Sequence, residues 1–160
     1  MSIFKILATK LWIWVICPIW SFFINLSYWI CRPFKIKEAL NKKNALLNYN
    51  LINEVMSIFR WKTDNYKDWY PWIITIVNTD FIDDCDGAAT MAKWWWKNKG
   101  FKSRLVFLYS ADGLQGHAVC VLNDNTKFVS NSEVIEIDPI NWRQDLLGRF
   151  DNIYSVIIEK

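Results

Sequence analysis

The chain has one histidine in 160 residues, and that scarcity limits the chemistry open to it. Any step that needs an imidazole must use His117. Cysteine is also sparse. The four residues, Cys17, Cys31, Cys85 and Cys120, have no paired spacing that reads as a disulfide framework or a zinc site. The formal net charge is only +3, which does not suggest the basic footprint of a nucleic-acid binder. After Pro33 there is no internal repeat and no low-complexity linker. One long run, Leu11 to Cys31, carries no charge at all.

That uncharged run is also where the aromatic excess begins. The chain has 11 tryptophans, several of them in its first thirty residues, where they suit a membrane interface better than a small core. As a helix, Leu11 to Cys31 would extend about 30 Å, roughly the hydrocarbon thickness of a bilayer. Lys5 and Lys10 precede it; Arg32, Lys35 and Lys37 follow. A signal peptide would have a shorter apolar stretch and a small-residue cleavage site. Residues 1–33 are therefore read as a single-pass membrane anchor, with a buried or interfacial hydrophobic helix as the alternative that Pro18, Ser21, Asn25 and Ser27 favour. The lysines after the run place the following domain on the cytoplasmic side, although the charge difference leaves the periplasmic or extracellular side open.

Residues 34–160 read as one α+β domain. Apolar residues at Ile36, Leu40, Leu47, Leu51, Val55 and Ile58 predict one long helix over Lys35–Phe59. A turn-rich aromatic patch follows, from Thr63 to Pro71. Ala88–Asn98 is helical and is closed by Lys99-Gly100. Strands are expected at Arg104–Tyr109, His117–Leu122, Lys127–Ser130 and Tyr154–Ile158, with a hairpin turn at Asn123–Asn125 and a short helix at Trp142–Leu147. Helices first and an antiparallel meander afterwards give the α+β class. Trp94-Trp95-Trp96 is read as core and interface packing.

The chemistry centres on Asp83-Asp84-Cys85-Asp86-Gly87-Ala88-Ala89, which leads into the helix. Only the thiolate is a good nucleophile, and a free thiol has a pKa near about 8.5. Backbone N–H groups at a helix N-terminus stabilise negative charge, and a neighbouring imidazole supplies the base. The small residues Gly87, Ala88 and Ala89 let another element pack close to the first turn. A strand crossing there would bring His117 to Cys85. A lone cysteine is ordinarily a small buried hydrophobe, but one set among three aspartates is poorly placed for a core. A third polar group should orient the imidazole from the next strand. Asn131 is the best candidate by residue type; Ser130, one position off, would point to the opposite face of a regular strand; Asp138 is more distant.

These residues match a family pattern. Phe59-Arg60-Trp61-Lys62-Thr63-Asp64, Asp68-Trp69-Tyr70-Pro71, Asp84-Cys85-Asp86-Gly87-Ala88 and Gly116-His117-Ala118-Val119 together resemble the transglutaminase-like cysteine peptidase superfamily, and the bacterial transglutaminase-like cysteine peptidases in particular. The resemblance covers roughly Phe59 to Asn131. It implies a papain-like α+β core, with the cysteine helix packed on an antiparallel sheet. It also implies that Cys85 is the nucleophile and His117 the general base. In the family the third residue is typically an aspartate. Ser130 stands in its place here, and Asn131 matches the asparagine after it.

A second departure is Asp83, where the family has glycine. Some relatives bind calcium through acidic residues flanking the cysteine, and Asp84 and Asp86 occupy similar positions. Stabilisation of a helix N-terminus by these carboxylates is the simpler account. No other cofactor is expected. The function implied is a peptidase or amidase acting on a protein or peptide substrate through an acyl-thioester, with hydrolysis and crosslinking both open. The oxyanion would be held by the Cys85 N–H and a second donor, Gln115 or Trp69. The alternatives are a catalytically weakened fold kept as a membrane-tethered binding module, and a structural membrane protein with an incidental cysteine.

Overall fold

A computed structural model of the chain describes residues 3–30, 35–62, 71–112, 115–151 and 153–160. It begins with a continuous helical run: α1 (Ile3–Leu11), a π-helical turn (Trp12–Ile16) and α2 (Cys17–Ile30). Next come α3 (Ile36–Ala45), a 3-10 turn (Leu46–Asn48) and α4 (Ile52–Met56). The single helix expected over Lys35–Phe59 is therefore broken. Tyr49 and Leu51 are extended, and the Glu54 carboxylate accepts the N–H groups of Asn50 at 2.9 Å and Leu51 at 3.0 Å. Asparagines at 44, 48 and 50 compete with the helical ladder, and that glutamate then caps a fresh helix. The apolar spacing survives the break, because Leu46, Ile52, Val55 and Met56 all reach the core.

Strand β1 (Arg60–Trp61) pairs in parallel with β2 (Ile82–Asp83), and α5 (Ile73–Asn78) lies between them in sequence. Helix α6 (Cys85–Asn98) follows, then β3 (Ser103–Ser110), β4 (Gly116–Leu122), β5 (Lys127–Ser130), β6 (Glu133–Glu136), α7 (Trp142–Gly148) and β7 (Tyr154–Glu159). The last five strands form one antiparallel sheet in the order β6-β5-β4-β3-β7. The fold is mixed helix and sheet, with the expected meander at its centre. Four elements escaped the sequence reading: the two-residue strands β1 and β2, helix α5 and strand β6. Helix α5 is rich in β-branched residues, which disfavour helix; burial of Thr75, Ile76 and Val77 overrides that preference. Strand β6 is a short edge strand with a glutamate at each end, too brief for a clear alternation.

The sheet separates two cores, as the period of two along a strand requires. Leu105, Phe107, Ala118, Cys120, Val129 and Ile158 face α6, which covers them with Ala88, Met91, Ala92, Trp95 and Trp96. The indole of Trp95 donates to the Leu46 carbonyl at 3.1 Å, so its one polar atom is satisfied within that core. On the opposite face Val106, Leu108, Val119, Val121 and Phe128 pack under Leu146 of α7.

The N-terminal helix lies along this domain. Leu7–Ser27 is long and apolar enough to cross a membrane. Its Cys17, Ser21 and Asn25 nevertheless form a buried stripe, four residues apart. The Asn25 Oδ1 accepts the Trp72 N–H at 2.9 Å and the Thr75 hydroxyl at 2.7 Å, and the Trp29 indole donates to that hydroxyl at 3.3 Å. Replacing Asn25 by Ala strands two donors at the start of α5. The expected cost is roughly 1–3 kcal/mol, seen as faster amide hydrogen exchange across residues 72–76; unchanged exchange there would contradict this account of docking.

Candidate functional site

The approach to Cys85 is held from both sides. The Arg60 N–H donates to the Phe81 carbonyl and the Lys62 N–H to the Asp83 carbonyl, each at 2.8 Å. Just before β2 the chain turns through Asp80 and Phe81, both in the left-handed region at φ 56° and 61°. A bulky residue there is an outlier. The Phe81 N–H is tied back to the Ile76 carbonyl at 3.0 Å, which holds the turn against α5.

The aspartates then set the first turn of α6. Asp83 Oδ1 accepts the Asp84 N–H at 2.9 Å, and Asp84, the N-cap, accepts the Asp86 N–H at 3.1 Å. Gly87 lets the Asp83 side chain lie against the helix: a Cβ there would come within 2.5 Å of the Asp83 Cβ and Cγ. Close approach to the first turn is thus made by the chain's own aspartate. Cys85 is the first helical residue, so its N–H lies outside the helix's own ladder.

Helix and sheet meet at that cysteine. The half-buried Cys85 Sγ accepts the Ala118 N–H at 3.4 Å, which places the thiol one peptide bond from His117. The His117 ring packs against Phe150, with centroids 5.0 Å apart, and lies nearly parallel to Tyr154 at 6.1 Å. Its Nε2 is 2.8 Å from the Ser130 Oγ. Ala118 belongs to the core under α6, whereas His117 points to the α7 side. Among the described residues no hydrogen bond joins the thiol and the imidazole.

Register decides the third position. Cys120 pairs with Val129 and Val121 with Phe128, which puts Ser130 on the same sheet face as Val119 and His117. The expectation that Ser130 would point away from the imidazole is corrected by that pairing. Asn131 is a turn residue in the left-handed region at φ 51°, between β5 and β6; its buried Oδ1 has no hydrogen-bond partner among the described residues. Asp138 is occupied elsewhere, accepting the Ile140 N–H at 2.9 Å and the Asn141 side-chain amide at 3.0 Å beside α7. Gln115 is exposed just before β4. Trp69, and the patch from Thr63 to Tyr70, lie outside the described residues.

Burial pushes the His117 pKa down to about 4, against the weaker opposing pull of the Asp84 carboxylate, so the imidazole is neutral at pH 7. The Tyr154 phenol is raised by burial and then by the charge of a Cys85 thiolate. Cys120 behaves differently: burial pushes its thiol up to about 12, as befits a core residue. Phe150 and Tyr154 were missed by the sequence reading. They come from residues far along the chain, and no local motif marks them.

Asp83, Asp84 and Asp86 bring carboxylate oxygens within 4.8 Å of one another. Oxygen donors of this kind suit calcium. Two of them are engaged by the turn and the helix cap, however, so the cluster fits capping and no chemical step is routed through a metal. Comparisons with family models, with curated proteins and with solved structures find no match for the chain.

Two outcomes test this geometry. Gly87→Ala forces Asp83 off the first turn and should destabilise the domain by roughly 1–3 kcal/mol, read from urea unfolding; a neutral result would mean that Asp83 is not held there. The folded His117 titrates near 4 and the unfolded one near about 6.5. Between those values only the unfolded chain carries the proton, so stability is complete above about pH 6.5 and falls as the pH drops toward 4, by on the order of 3 kcal/mol. His117→Gln should remove that part of the acid sensitivity of the urea midpoint; an unchanged slope would overturn the burial argument.

Proposed function

We propose that the chain is a membrane-associated, transglutaminase-like cysteine peptidase or amidase with a papain-like arrangement of helix and sheet. The observation that carries this reading is the seat of the Cys85 thiol at the start of α6, beside His117, whose Nε2 is held by Ser130. A serine hydroxyl accepting the Nε2 hydrogen leaves Nδ1 unprotonated, which is the base form of the ring. Rotation of the ring toward the sulfur then lets Nδ1 take the thiol proton as sulfur attacks a peptide or glutamine amide carbonyl. A C–S bond forms and the carbonyl π pair moves to oxygen, where the Cys85 N–H and a donor such as Gln115 or Trp69 would hold it. Collapse breaks the C–N bond, and the amine leaves with the proton from His117. Water then cleaves the thioester to a carboxylate and restores the thiol; an amine in its place gives a new amide.

For a helix that crosses the bilayer, the lysines that follow the apolar run favour a cytoplasmic position for the domain. A protein or peptide is the proposed substrate, and no nucleic-acid partner is proposed.

A second reading is favoured by two observations. Ser130 is a neutral group where the resembling family has a carboxylate, and burial disfavours an imidazolium at His117. Both weaken the base and suit a catalytically silent, membrane-tethered binding module. Labelling of Cys85 with iodoacetamide across pH, followed by peptide mapping, separates the two. An enzyme predicts alkylation faster than that of glutathione at pH 7, slowed at least about tenfold in His117→Ala. It also predicts faster labelling in Ser130→Asp, because a carboxylate stabilises the imidazolium that forms. Labelling no faster than glutathione, with no gain in Ser130→Asp, would leave the binding module; unchanged circular dichroism in each variant shows that the fold survives.

A further inference from the structure

The N-terminal helix is inside out. In a helix packed on a water-soluble domain, the apolar stripe faces the core and the polar residues face water. Here the inward stripe is Cys17, Ser21 and Asn25, and the outward face is apolar. Ile19, Phe23 and Ile30 are 56, 60 and 69% exposed; with Leu26 they follow the three- and four-residue spacing of one helical face. Trp14 and Trp20 flank them, each about half exposed. The medium that matches this arrangement is apolar, and it lies on the side away from the domain.

The same helix touches the domain along its length. Lys5 donates to the Asp112 carbonyl at 2.8 Å, and Lys160, the last residue, lies over the Trp14 ring at 5.6 Å. Trp12 packs on the core under α6. At the other end Asn25 and Trp29 hold Trp72 and Thr75. A helix crossing a bilayer would have to give up these contacts, or else draw Lys160 and the start of α5 into hydrocarbon, where unsatisfied polar groups are costly. Docked, it leaves Ile19, Trp20, Phe23, Leu26 and Ile30 exposed on one face. Lys10, Lys35 and Lys37, all exposed, provide positive charge near its ends, which complements anionic headgroups, and tryptophan is the residue enriched at the headgroup level.

We propose that this helix is an interfacial anchor: fixed to the domain by its Cys17–Ser21–Asn25 stripe, it lies in the plane of a membrane and buries Ile19, Trp20, Phe23, Leu26 and Ile30 in an anionic lipid surface. The single crossing suggested by its length is replaced by a monotopic arrangement in which the helix and the domain lie on one side of the membrane. A second copy of the chain could also cover an apolar face. The tryptophans and the flanking lysines favour lipid, since paired copies would bring those like charges together.

The test uses the full chain carrying an N-terminal epitope tag, added to preformed vesicles of phosphatidylcholine with phosphatidylglycerol. Flotation should bring the protein up with the vesicles, more weakly with phosphatidylcholine alone. Phe23→Glu with Trp20→Glu should reduce binding by at least about tenfold while circular dichroism stays unchanged. Proteinase K added outside should remove the tag as fast as it cuts the domain. A protected tag fragment of helix size would show a crossing and overturn the proposal. Failure to float, with dimers in detergent-free solution, would assign the face to a second copy and overturn it equally. The lipid result does not depend on Cys85: a Cys85→Ser protein should bind vesicles as the parent does, so failure of the catalytic reading and failure of this one can be told apart.

Discussion

The candidate site depends on how closely the first turn of α6 can approach the start of β4. A helix on a sheet ordinarily stands off by the thickness of its side chains. Here the contact is between a cysteine sulfur and a backbone N–H, with Ala88 and Ala89 as the buried residues behind it. Small residues bring the helix down, and the Asp84 cap fixes where it begins. Because the sulfur rests on the Ala118 N–H, it comes beside His117 whether or not the ring faces it. The sheet register then supplies Ser130 to that ring. Cysteine, histidine and serine are thus gathered by one packing constraint and one strand pairing.

Much of this was legible in the sequence, and the reasons are local. Periodicity marked β3, β4, β5 and β7, because each alternates between two buried faces or runs apolar through both. Asp84 and Asp86 read as carboxylates at a helix N-terminus, and Asn123–Asn125 as a hairpin turn, since both rest on short-range backbone chemistry; Asn125 indeed takes the left-handed conformation at φ 60°. The failures come from longer range. Helix α5 has strand-like composition and is helical through tertiary packing. The break between α3 and α4 turns on one carboxylate, Glu54, which caps a helix that apolar spacing alone would have continued. The choice between Ser130 and Asn131 needed the pairing of β4 with β5, because a shift of one residue exchanges the faces.

Asparagine and serine have exchanged the roles that residue type alone suggests. An amide is the better acceptor for an imidazole N–H, but Asn131 has the backbone that β5 needs to turn into β6. Asparagine tolerates the left-handed region better than most residues. Ser130, still in the strand, carries the side chain that faces the ring. A hydroxyl can fix the tautomer of the imidazole but brings no charge to stabilise its protonated form. The burial of His117 by Phe150 and Tyr154 acts in the same direction, and favours a neutral ring. Both features keep the ring neutral and leave an ion pair with the thiol unsupported.

Helix α5 joins the candidate site to the N-terminal helix. Its N-terminus receives Asn25, through the Trp72 N–H and the Thr75 hydroxyl. Its fourth residue, Ile76, accepts the Phe81 N–H and so fixes the left-handed turn that feeds β2. Strand β2 ends at Asp83, whose side chain lies across Gly87 and whose carboxylate bonds the Asp84 N–H. From the N-terminal helix to Cys85 the chain of contacts runs Asn25, Thr75, Ile76, Phe81, Asp83 and Cys85. The N-terminal helix thus fixes the α5 end of the turn that positions Cys85, through the same hydrogen bonds that dock it.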